Sequence, residues 1–177
     1  LKNHLEEMLE RDQAYRTQWI LSRQLHHEET QDDIALRLRA DSIDSLNQVE
    51  IRQILKEHGF PKKTEVGTSA CEAAWIIIQH APLDVQKEYL PMLEKAATEG
   101  NIQAALVAAL HDRIDVREGR PQKYGTQRNH NGICPLLNKK MAINGGRRLV
   151  FHHWMNFQSE LRVSISSRHF VPLFYCS

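Results

Sequence analysis

Gln122-Lys123-Tyr124-Gly125-Thr126-Gln127 concentrates two amides, a phenol and a hydroxyl around one glycine. A plain surface turn does not need that many neutral hydrogen-bonding groups, so their density marks a polar recognition site. The groups able to supply reactivity stand elsewhere in the chain. Pro82 restricts Ala81 away from helical angles and confines His80 to the last turn of a helix, where free carbonyls favour an imidazolium. Asp112 and Arg113 close a second helix, and an aspartate there sits on the unfavourable side of the dipole by ~0.3–1 kcal/mol, so it needs a partner in Arg113 or His80. Brought into one pocket, His80 would be a general base oriented by Asp112, and Arg113 would bind an anionic group. Tyr124, Thr126 and the amides of Gln122 and Gln127 would fix a polar substrate, a small molecule or a peptide. Hydrolysis or group transfer is the matching class. The competing reading is a non-catalytic ligand- or protein-binding module, in which the same residues form a satisfied latch that ties the C-terminal segment to the helices.

These residues depend on helices to position them. From Leu1 to about His27, Leu5, Met8, Leu9, Tyr15 and Trp19 recur at the spacing of one buried helical face. Asp12 lies in that stripe, so its carboxylate either faces the core or turns to Arg16 one turn on. Residues 28–40 are polar and mixed. Asp41 or Ser42 can cap a second helix to about His58, ended by Gly59-Phe60-Pro61. Asp44, Asn47, Ile51, Ile54, Leu55 and His58 share one side of it. Asp44 suits the positive end of the helix dipole, whereas Asn47 has no such account and is the better candidate for contacting a substrate. After a loop over Lys62–Gly67, Thr68 or Ser69 opens a third helix, apolar nearly all round through Trp75, Ile76, Ile77 and Ile78, which belongs in the middle of a bundle. Asp84 starts a fourth, kinked or broken at Pro91, and Gly100-Asn101 separates it from a fifth that ends at His111-Asp112-Arg113. The fold predicted is mainly α, a single-domain bundle of about five helices over residues 1–127 with an extended or short β segment after it.

Composition supports a soluble globular chain, 41% apolar and 25% charged, with no run long enough to span a bilayer. Three widely spaced cysteines fit neither a disulfide framework nor a paired metal site. His26-His27-Glu28-Glu29 would fan around a helix and cannot converge on one ion. No metal or cofactor is expected, and there is no phosphate loop, dinucleotide fingerprint, HExxH or serine elbow. The chain starts at Leu1 without a methionine, so a preceding segment, a signal peptide included, is left open, and with it the localisation.

Residues 1–127 hold 16 basic and 21 acidic side chains, residues 128–177 hold 7 and 1. The last fifty residues also contain four of the five Phe and lack a clear apolar period. That atypical basic tail fits an out-of-frame or divergent end. A nucleic-acid arm ranks last, since seven basic residues without clustering make a thin electrostatic footprint.

Asp44-x-x-Asn47, Gly59-Phe60-Pro61, Val66-Gly67, Trp75-x-x-x-Gln79-His80-Ala81, Gln86-x-x-Tyr89-Leu90 and Asp112-Arg113, leading to Gln122-x-Tyr124-Gly125-Thr126-Gln127, occur in an order that resembles a bacterial family of uncharacterised proteins, a domain of unknown function, over about residues 10–127. The resemblance supplies no activity. It implies that His80, Asp112, Arg113, Gln122, Tyr124 and Gln127 act together.

Overall fold

The computed structural model describes residues 1–25, 29–129 and 132–137. His26, His27 and Glu28, and the tail beyond Leu137, lie outside the described residues. The chain is mainly helical: α1 (Lys2–Leu25), α2 (Gln31–His58), α3 (Lys63–Val66), α4 (Thr68–His80), α5 (Leu83–Thr98) and α6 (Ala104–Arg117), then a two-stranded antiparallel pair, β1 (Arg128–Asn129) and β2 (Gly132–Ile133). The described helices fall into two compact units, one covering Leu1–Pro82 and the other beginning at Leu83.

In the first unit, α1 buries Leu5, Met8, Leu9, Asp12, Arg16 and Ile20, a single stripe at helical spacing. It runs antiparallel to α2, because His4 meets Glu50, Arg11 meets Asn47 and Arg16 meets Asp44 in descending order. The second helix is capped eleven residues before Asp41 and twelve before Ser42, the caps expected from sequence. Its N-cap is Thr30, whose hydroxyl accepts from Asp33 N at 3.1 Å while the Asp33 carboxylate accepts from Thr30 N at 2.8 Å. This reciprocal pair satisfies two otherwise orphaned donors, a stronger start signal than a lone serine or aspartate. His58, expected on the inward side, is exposed.

Helix α4 packs on both α1 and α2 and is buried continuously from Ala70 to Gln79. It is the central element that its all-round apolar sequence predicts. Each fully buried side chain such as Ile77, Ile78 or Leu5 contributes about 1.5–3 kcal/mol relative to exposure. The stretch expected to be a loop before α4 contains the single turn α3, which buries Val66.

In the second unit α5 and α6 pack through Val85, Tyr89, Leu93 and Ala96 on one side and Leu106, Val107, Ala109, Leu110 and Ile114 on the other. Pro91 does not divide α5. Both Pro91 and Lys87, whose carbonyl loses its partner to the proline, are on the exposed face, so water replaces the missing bond. The helix ends with Asn101 N donating to Ala96 O and Gly100 N to Ala97 O around Gly100 at φ 78°. That closing arrangement uses Asn101 as part of the stop, and α6 begins only at Ala104.

Candidate functional site

Four polar side chains meet inside the first unit. Asp12 and Arg16 come from the buried stripe of α1, Asp44 from the middle of α2, and His80 from the last turn of α4. His80 Nδ1 lies 2.9 Å from Asp12 Oδ1 and 3.0 Å from Oδ2. Gln13 Nε2 donates to Asp12 Oδ2 at 2.6 Å, and Arg16 Nε is 3.5 Å from the same oxygen. Arg16 Nη2 donates to Asp44 Oδ1 at 2.5 Å. Side-chain exposure is 1% for Asp12, 7% for His80, 9% for Arg16 and 14% for Asp44, so Asp12 is sealed while the other three keep a small solvent-facing edge.

Burial acts on both carboxylates, with opposite net results. At Asp12 burial pushes the carboxyl up, but His80 beside it, then Arg16 and Gln13, outweigh that and hold it below the ordinary value. At Asp44 burial dominates, and with Asp12 nearby it raises the carboxyl in spite of Arg16 and His80. Arg16, between two acids, is held more firmly protonated although burial opposes it. Two carboxylates driven in opposite directions form the pattern by which one site keeps one acid charged and makes another available as a proton donor. A charged Asp12 requires an N–H at His80 Nδ1, and His80 Nε2 makes no hydrogen bond among the described residues.

Donor atoms of Asp12, Asp44 and His80 lie within 4.8 Å of one another, close enough to surround a cation. Arg16 already places a fixed positive charge against both carboxylates, and the oxygens of Asp12 are taken by His80 and Gln13. The donor set therefore suits proton transfer better than a dication, which would have to expel a guanidinium. Cys71, in the same unit, offers no thiolate: burial, then Glu72, pushes it up to about 11, and its S–H donates to Pro61 O.

A different network occupies the second unit. Helix α6 runs on to Arg117, past the end expected at His111-Asp112-Arg113, and Asp112 is fully buried five residues before that end; one of its oxygens accepts from Lys123 N at 2.7 Å and Tyr124 N at 2.8 Å. The other accepts from Thr126 N and Thr126 Oγ1, both at 2.9 Å. Gly125 makes this possible: at φ 78° it bends the chain so that amides on both sides of it face one carboxylate, and a Cβ there would come 3.3 Å from Leu136 Cδ2. Gln122 closes the loop, its Nε2 donating to Gln127 O at 2.9 Å and Cys134 O at 2.8 Å while its Oε1 accepts from Gln127 N at 2.8 Å. Gln127 Nε2 donates to Ala109 O at 3.2 Å, tying the segment to α6.

The carboxylate on His80 is thus that of Asp12, where sequence reasoning placed Asp112. Asp112 instead spends both oxygens on the loop that contains Tyr124 and Thr126. Gln122 and Gln127 are fully buried and hold main-chain groups, whereas Tyr124 and Arg113 are half-buried. Asn47 belongs to the first unit: it accepts from Arg11 Nε at 2.6 Å, donates to Met8 O at 3.3 Å and so clamps α2 to α1. Asp12 was detectable as a charge in an apolar stripe. Asp44 was given a helix-end account that the early start of α2 removes, because it lies in mid-helix with no terminal dipole to serve. Gln13 carried no sequence signal.

The architecture is that of a mainly helical protein with a buried Asp–His–Arg–Asp cluster in its first unit, and no described helix is long and apolar enough to cross a membrane. A family profile matches residues 1–137, and the chain belongs to that family, a family of unknown function (DUF6624). The match takes in all six helices and continues through the Pro135 and Leu137 main-chain bonds to Gln122, beyond both limits of the 10–127 resemblance. No curated protein and no solved structure matches the chain.

Proposed function

We propose that the protein is a hydrolase or group transferase acting on a small molecule or peptide, with His80 as general base, Asp12 as the residue that orients it and Asp44 as the proton donor. The observation that carries this reading is the bond between the buried Asp12 carboxylate and His80 Nδ1, 2.9 Å long, inside a cluster whose other acid is raised. The same cluster holds a second carboxylate whose tendency is opposite to that of Asp12, the kind of divergence that accompanies acid–base sites. The test uses a panel of esters, amides, phosphoesters and glycosides. His80→Asn keeps an N–H to donate to Asp12 but removes the base, and should lower turnover by about 10²–10⁴-fold at nearly unchanged thermal stability. Turnover that survives His80→Asn, or a wild type inert toward the whole panel, would refute the reading.

For the second unit a separate observation favours the latch. Asp112 has both oxygens filled by Lys123, Tyr124 and Thr126, and Gln122 and Gln127 bind main-chain atoms. We read the Gln122-to-Gln127 segment as a device of folding.

A further inference from the structure

We propose that the outward face of α2 is a self-association surface, on which a second copy of this chain docks its own α2 antiparallel about a two-fold axis. This face is turned away from the buried side of the helix and serves a purpose independent of the reaction assigned to His80.

The inward side of α2 meets the core through Ala40, Asn47, Ile51 and Ile54. Leu38 stands nine residues from Asn47, half a turn round the helix, so it points the other way. The outward row continues at alternating spacings of four and three through Ala35, Leu38, Ser42, Ser45 and Val49, every member exposed and none charged, with Leu46 beside it. Leu38, Leu46 and Val49, exposed by 56%, 59% and 69%, are three of the six exposed large apolar side chains among the described residues. Single apolar side chains on a surface carry no message, but a row repeating every 3.5 residues over about four turns is the seam along which two helices pack. The small Ser42 and Ser45 let the axes come close. Ser45 Oγ donates to Asp41 O at 3.0 Å within its own helix, so it can lose water without leaving that donor unpaired.

Charge selects the occupant and its direction. Asp32 lies exposed in the first turn of α2 and Lys56 exposed in the last, and neither has an ion-pair partner among the described residues. A parallel pair would set Asp32 against Asp32 and Lys56 against Lys56. In the antiparallel pair that places Ser42 of one copy opposite Ser45 of the other, Leu38 falls opposite Val49 and Asp32 falls beside Lys56, twice over by symmetry. On the flanks Asp41 meets Gln48 and Arg39 meets Leu46, so this register puts no like charges opposite one another. The complement of the surface, apolar at its middle and of opposite charge at each end, is therefore the surface itself. A contact about 40 Å long and about 10 Å wide covers on the order of 400 Å² per copy, short of the ~1,200 Å² total of stable complexes, which makes the pair one of the transient class.

The experiment is sedimentation velocity of the full chain at low ionic strength from about 5 to 500 μM, over which the wild type should pass from one chain mass to two. Val49→Glu sets a carboxylate against Leu38 of the other copy and should weaken association by at least about 10-fold. Because Val49 is exposed, the melting temperature should move by no more than about 2 °C. Asp32→Lys turns both end pairs repulsive and should weaken association about 10-fold, and Asp32→Lys combined with Lys56→Asp should restore it. A wild type that stays at one chain mass throughout overturns the proposal and leaves the face to another occupant. A dimer indifferent to Val49→Glu places the contact elsewhere and overturns it equally. A combined variant that associates no more tightly than Asp32→Lys alone refutes the antiparallel register.

Discussion

Removing the Asp112 carboxylate should unfasten the segment after α6. The side chain is fully buried and accepts from Lys123 N, Tyr124 N, Thr126 N and Thr126 Oγ1 at 2.7 to 2.9 Å. A hydrogen bond to a charged group is worth about 1.5–3 kcal/mol, but four bonds to one carboxylate are not additive, since the freed amides can turn to water as the loop relaxes. For Asp112→Ala the expected cost is therefore about 3–5 kcal/mol, the range for deleting one side of a buried charged network. In a chain of this size each kcal/mol moves the melting temperature by about 2–4 °C, which gives a fall of about 6–20 °C. Asp112→Asn keeps one acceptor oxygen and turns an amide N–H₂ toward donors, so about 2–3 kcal/mol should be lost. Thr126→Val removes only the hydroxyl, at about 1 kcal/mol, and should couple to Asp112→Asn in a double-mutant cycle. Urea and thermal unfolding of the wild type, the three single variants and the Asp112→Asn/Thr126→Val double mutant measure all of this. If Asp112→Ala costs less than about 1 kcal/mol, the scale of a surface change, the carboxylate does not hold the loop.

Two further perturbations probe the first unit. The Ser22 hydroxyl, followed by the Thr30 main chain and side chain, holds Asp33 down to about 2 from an ordinary 3.8. A depressed carboxyl contributes stability that is complete above 3.8 and is lost as pH falls through about 2. The melting-temperature gap between wild type and Asp33→Asn should accordingly close over that interval, and a gap still undiminished at its acid end contradicts the assignment. Thr30→Ala should cost about 1 kcal/mol through the cap alone. Asn47→Ala, which deprives Arg11 Nε of its acceptor and Met8 O of a donor, should cost about 1–3 kcal/mol in urea unfolding. No loss would show that Asn47 is not a clamp and return it to the substrate-contacting role suggested by its sequence position.

The helices were readable where apolar spacing carried the information. The first half of the α1 stripe, the uniformly apolar α4 and the paired faces of α5 and α6 follow from periodicity alone, whereas Tyr15 and Trp19, expected in the α1 stripe, are half-buried and Arg16 and Ile20 continue it instead. What escaped was set by polar pairs whose partners lie at a distance in sequence, or by reciprocal bonds hidden in polar stretches. The start of α2 depends on Thr30 and Asp33 acting together, within a run that looked like linker. Pro91 looked like a break because sequence does not say which side of a helix faces water. His80 could be placed at a helix end, but its carboxylate stands 68 residues away in Asp12, and a titratable pair across that separation leaves no local pattern. Asp112 was expected to need a partner because its helix seemed to end there; the helix runs on to Arg117, and the partners are main-chain amides eleven to fourteen residues on, a donor that every residue type but proline shares.

The loop closed by Asp112 and Gln122 is built mostly from main-chain bonds, so its specification is metrical. Asp112 receives the amides of residues 123, 124 and 126, and Gln122 receives that of 127. A side chain such as that of Lys123, which is exposed, can be exchanged without disturbing any of them. One residue inserted or deleted between Gln122 and Gln127 puts every amide out of step with its acceptor and moves the positive φ away from Gly125. The segment acts as a buckle cut to one length, tolerant of the identity of its outward side chains and intolerant of a change in their number.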